Sequence, residues 1–80
     1  MSPLDLTARQ NLIDHLTASG KMDETVEEHI NLGDIYYRMT EMDKARNTYQ
    51  KALTIAQQSG LETWTVEILH HLADIDMQRL

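Results

Sequence analysis

Eighty residues, 41% of them hydrophobic, make one small domain near the margin of independent stability, with little core to spare. Thirteen acidic against seven basic residues leave a formal charge of -6, which repels phosphate backbones and anionic lipid and so argues against nucleic-acid and membrane partners. Cysteine is absent, which removes disulfides, thiolate metal sites and thiol catalysis; no apolar run approaches the roughly 18 residues that span a bilayer, and no secretory leader is evident, so a soluble cytoplasmic protein is expected.

Taken in chain order, three breaks predict four helices and an all-α class. Ser2-Pro3 opens a first helix over about 4–18, because proline at an initial position loses no needed hydrogen bond, and Ser19-Gly20 closes it. Its apolar side is Leu4, Leu12, Ile13 and Leu16. Asp23 is the expected cap of the second helix, with Glu24 favouring the positive end of its dipole. That helix runs to about Met39, and Val26, Ile30, Leu32, Ile35, Tyr36 and Met39 form an apolar face too wide for one neighbour. After a break at 40–42, Asp43 or Thr40 is expected to cap a third helix whose packing face is Ala45, Tyr49, Ala52, Leu53 and Ala56. Ser59-Gly60 ends it, and a fourth helix follows over 62–79 with Trp64, Val66, Leu69, Leu72, Ala73, Ile75 and Met77. Alternation of period two is nowhere sustained, so no strand competes.

The chain also repeats itself. Thr25-Val26-Glu27 and Leu32-Gly33-Asp34-Ile35 return forty residues on as Thr65-Val66-Glu67 and Leu72-Ala73-Asp74-Ile75, and the two Ser-Gly stops keep that interval. A fixed period of this size indicates stacked units, each burying its apolar face against a neighbour.

Within one period, Leu32-Gly33, Tyr36, Ala45, Tyr49 and Ala52-Leu53 stand at the spacing of a tetratricopeptide repeat, which the chain resembles. The resemblance covers one full helix pair over 23–59 and a second copy of the first helix over 62–79, while helix one takes the place of a preceding second helix. It implies antiparallel hairpins stacked as a short right-handed superhelix. Gly33 and Ala45 would lie at the close crossing, with Tyr36 and Tyr49 beside it, Ala52 admitting the next helix, and Leu72 and Ala73 repeating the pattern. The period exceeds the family's usual value of about 34 residues and fits a subclass with an extended second helix. Thr40 stands where glycine is common, so that turn needs another solution. Beginning and stopping in mid-repeat, the chain reads as a piece of a longer array, and dimerisation, with or without exchange of a helix, is expected to cover the last helix.

Function follows from the same resemblance, which implies that first helices line a concave groove. The residues carried over to it are Glu27, Ile30, Asp34 and Tyr37 from helix two and Glu67, His70, Asp74 and Met77 from helix four, with Asn31 nearby as a polar donor. Carboxylates beside an aromatic, an isoleucine and a methionine suit a peptide or helix with basic residues between apolar anchors. The alternative reading is a structural spacer or oligomerisation element whose acidic residues are only a solvated face. An enzyme is not expected: the serines stand at helix edges, no glycine-rich phosphate loop is present, and no cofactor is implied. His70 and Asp74 share a helical i,i+4 interval, but two ligands are too few to hold a metal.

Overall fold

Each of the first three helices ends because one residue turns left-handed. A computed structural model describes residues 3–78, with side chains from 6 onward, as α1 (Pro3–Ala18), α2 (Met22–Arg38), α3 (Met42–Gln58) and α4 (Glu62–Gln78). Between them, Gly20, Thr40 and Gly60 take φ values of 75°, 61° and 68°. At each, the left-handed residue donates its N–H to the carbonyl three residues back, at 3.1, 3.0 and 3.3 Å. The next N–H reaches five residues back, at 3.0, 2.9 and 2.8 Å, which completes the same carbonyl-capping turn three times. Thr40 therefore needs no alternative solution. It adopts the glycine conformation, at a steric cost of about 1–2 kcal/mol for a residue with a Cβ.

The turn leaves a single residue before the next helix. Lys21 and Glu41 consequently occupy the cap positions, without a side-chain cap bond, and their carbonyls accept the N–H of Thr25 and Ala45 at 2.9 Å each. Asp23, Asp43 and Thr40 are thus not the caps that spacing predicts; both aspartates lie inside the first helical turn, where they still favour the dipole.

Packing follows chain order: α1 on α2, α2 on α3, α3 on α4. The alternate helices α2 and α4 run in the same direction, since Trp64 Nε1 near the start of α4 donates to Asp23 Oδ1 near the start of α2 at 2.5 Å, and Tyr37 Oη near the end of α2 donates to Asp74 Oδ2 at 3.1 Å. The buried cluster comprises Val26, Ile30, Ala45, Tyr49, Ala52, Ala56, Ile68 and Ile75. Alanines along α3 keep it thin, so that α2 and α4 both approach it closely. His29 is also buried and donates Nδ1–H to the Thr25 carbonyl at 2.9 Å, which satisfies its polar atom without leaving its own helix.

The expected face of α1 is corrected in part, and α4 carries the surplus of apolar side chains expected of the last helix. On α4 the buried stripe is Ile68 and Ile75, while Val66, Leu69 and Met77 are 57%, 48% and 69% exposed and Ala73 is exposed as well. The reason is that α4 has a neighbour only on its α3 side, so half of a repeated pattern stays uncovered. On α1, Ile13 and Leu16 are buried but Leu12 is exposed, and the side chain of Leu4 lies outside the described residues.

Candidate peptide-binding groove

The centre of the α2–α4 face is a tyrosine from the helix behind it. Gly33 leaves a gap through which the Tyr49 ring reaches: a Cβ built at position 33 would stand 2.5 Å from Cε1 of that ring. The Tyr49 hydroxyl passes the gap and donates a short hydrogen bond to Asp34 Oδ1. His71 of α4 stacks on the ring, with centroids 4.9 Å apart and planes 9° from parallel, and its Nδ1 lies 3.8 Å from Asp34 Oδ1. Further along, Tyr37 donates to Asp74 and accepts from Gln78 Nε2.

These groups line an open cleft of about 310 Å³ walled by Asp34, Tyr37, Arg38, Tyr49, His71 and Asp74. Burial, and then the bond to the Asp34 carboxylate, raise the Tyr49 hydroxyl far above its ordinary pKa. Desolvation and Asp74 raise that of Tyr37 as well. Both phenols therefore keep their protons at neutral pH and donate them to a carboxylate. The cleft thus brings the Asp34 and Asp74 carboxylates together beside the Tyr49 ring, with Arg38 and His71 among its walls. Among the described residues no group of three or more histidine and carboxylate side chains is placed to hold a metal ion.

Of the residues expected at the groove, Asp34, Tyr37 and Asp74 converge on this cleft. Glu27, Glu67, His70 and Met77 are exposed on the same two helices but outside it. Ile30 is 6% exposed and belongs to the core, so it is withdrawn from the groove: α2 is covered on two sides and this position falls under the cover. Asn31 lies on the other flank of α2, where it donates to Glu28 Oε1 at 3.4 Å and lines a second cleft with Arg9, Ile35, Arg38 and Met39. Leu32, Gly33, Ala45, Tyr49 and Ala52 are buried as the repeat pattern implies, with Tyr36 and Leu72 half-buried. His71 and Arg38 were not anticipated. No repeated residue marked His71, since the equivalent position forty residues earlier is Asn31.

Parallel first helices joined by an antiparallel second helix, with a glycine opposite an aromatic at the crossing, define a helical-repeat protein. The tetratricopeptide repeat family model matches residues 24–79, and the chain belongs to that family, a class of protein–protein interaction modules. Neither a curated protein nor a solved structure matches it.

Proposed function

We propose that the chain binds a peptide or helix along the α2–α4 face, seating a lysine or arginine in the cleft between Asp34 and Asp74. The observation that carries this reading is the convergence of two carboxylates from parallel helices on one cleft, each already oriented by a tyrosine hydroxyl. Its volume of about 310 Å³ suits one long side chain rather than a whole ligand. Glu27 and Glu67 extend the negative surface along the same helices, and Met77 offers an apolar contact. Exposed ion pairs contribute roughly 0–1 kcal/mol each, so apolar anchors flanking the basic residue supply most of the affinity. A clamp for a peptide C-terminal carboxylate is disfavoured here, because Glu27 and Asp34 stand where it needs neutral or positive donors. No helix among the described residues is long and apolar enough to cross a membrane, and the charge of -6 opposes anionic surfaces. No catalytic residue and no cofactor are assigned.

Fluorescence polarisation with a labelled peptide alternating arginine and leucine tests the reading. Binding that weakens about tenfold or more in Glu67→Lys with Asp74→Lys, at unchanged helical circular dichroism, supports it. Binding that ignores both substitutions removes the groove and leaves the spacer reading.

A further inference from the structure

The surface that α2 gives to α3 has a counterpart on α4, forty residues later, and the surface that α3 gives to α2 has a counterpart on α1, forty residues earlier. In the α2–α3 contact, Val26, Tyr49 and Ala52 belong to one buried cluster, the Tyr49 ring lies over Gly33, and its hydroxyl donates to Asp34. Their counterparts are Val66, Ala73 and Asp74 on α4 and Arg9 and Leu12 on α1. All are at the surface. Val66 is 57% and Leu12 42% exposed, Ala73 and Asp74 are exposed, and Arg9 is partly exposed.

The differences between the two sets compensate one another. Position 33 must be glycine because a flat, immobile ring faces it, and a methyl group there would meet that ring at 2.5 Å. At the counterpart position the methyl group is present, as Ala73, and the residue that would face it is Arg9, whose unbranched, flexible chain can pass beside a methyl group. The hydrogen bond is compensated too. Where the Tyr49 hydroxyl donates to Asp34, the guanidinium of Arg9 would donate to Asp74, a charge-assisted pair in place of a neutral donor. Apolar surface matches likewise, since Leu12 and Val66 are both exposed at positions whose counterparts, Ala52 and Val26, are fully buried. Among the described residues Arg9 pairs with Glu28 at 3.4 Å, a partly exposed pair that a second carboxylate can share.

We propose that a second copy of this chain docks its α1 on the exposed face of α4, head to tail, with Arg9 of the second copy on Asp74 and Leu12 of the second copy on Val66. The two surfaces differ, so the contact is heterologous; each added copy leaves another α4 open, and assembly proceeds as an open series rather than a closed dimer. It proceeds by stacking of intact copies, without exchange of a helix. The inference shares Asp74 with the groove reading but goes beyond it, since Arg9, Leu12 and Val66 play no part in the cleft and their substitution separates the two.

Sedimentation velocity over a wide concentration range tests it. The expected result is a mean mass that climbs past two copies of 9.2 kDa without a plateau. Arg9→Glu and Asp74→Lys should each weaken association by about tenfold or more, because like charges then meet at the junction. Mixing these two variants should restore it, since every junction of an alternating series again pairs opposite charges. Leu12→Asp should produce the same loss without disturbing an ion pair, and Glu27→Lys with Glu67→Lys should leave association intact. A mass of 9.2 kDa at every concentration overturns the proposal and gives the α4 face to another protein or to none. A plateau at the dimer, or association indifferent to Arg9→Glu and Asp74→Lys alike, overturns it equally.

Discussion

Replacing Gly33 with alanine places a methyl group where the Tyr49 ring already lies. The new Cβ would stand 2.5 Å from Cε1 and 2.8 Å from Cδ1 and Cζ, against a comfortable carbon–carbon separation of about 3.5–4.0 Å. The ring has nowhere to go: it is 1% exposed, His71 stacks on it at 4.9 Å, and Asp34 holds its hydroxyl. Relief requires α2 and α3 to part or the ring to leave its partners. Overpacking of this kind costs about 1–3 kcal/mol, and loss of the Tyr49–Asp34 bond adds about 1 kcal/mol. Alanine in a helix interior returns about 1 kcal/mol relative to glycine. The net expectation is a loss of about 1–3 kcal/mol, with the melting temperature falling roughly 4–8 °C per kcal/mol in a domain of this size. Urea denaturation followed by circular dichroism measures it, and the same substitution in a Tyr49→Leu background supplies the control. There the ring is gone and Gly33→Ala should be neutral or stabilising by up to about 1 kcal/mol. Equal destabilisation in both backgrounds, or stabilisation of the unaltered chain, would refute the ring-over-glycine argument.

The same geometry yields two further expectations. Thr40→Gly should raise stability by about 0.5–1 kcal/mol, because it relieves the strain of φ 61° at a modest entropic cost, whereas Thr40→Ala should bring no gain; the urea midpoint at constant slope reads both. Tyr49→Phe should cost about 1–2 kcal/mol at neutral pH through the bond to Asp34. It should also flatten the alkaline limb of the stability profile. With the folded Tyr49 hydroxyl raised above its ordinary pKa of 10.0, its contribution is fully present below pH 10 and declines above it, as the unfolded chain releases a proton that the folded chain retains. A Tyr49→Phe profile as steep as that of the unaltered chain between neutral pH and the alkaline limit would count against this assignment.

Helix number and type were legible because glycine punctuates the chain at Gly20 and Gly60 and the apolar spacing holds between them. The middle turn was harder. Threonine does not advertise a left-handed backbone, and only the shared hydrogen-bond pattern reveals that Thr40 does what the glycines do. Caps were misplaced at Asp23 and Asp43 because an aspartate before an apolar run suits a cap, but a one-residue link puts the helix start earlier. Burial was the least legible property. Val26 and Val66 stand at equivalent places in the repeat, yet one is 0% and the other 57% exposed, since a periodic pattern records what each unit can bury and not which neighbours are present. The groove shows the same division. Asp34, Tyr37 and Asp74 followed from repeat position, whereas His71 acquires its place only because Tyr49 from a third helix supplies the ring it stacks on.

Identical reversals at residues 20, 40 and 60 make one rod plus its bend the smallest duplicable module of this chain. Every bend flips the heading of what comes next. Splicing in a single module would therefore send all later rods the opposite way and turn their carboxylates to the wrong side of the sheet of helices. Splicing in two would lengthen the protein and leave every downstream side chain aimed as before, so growth by even numbers is the only kind that conserves its inner wall.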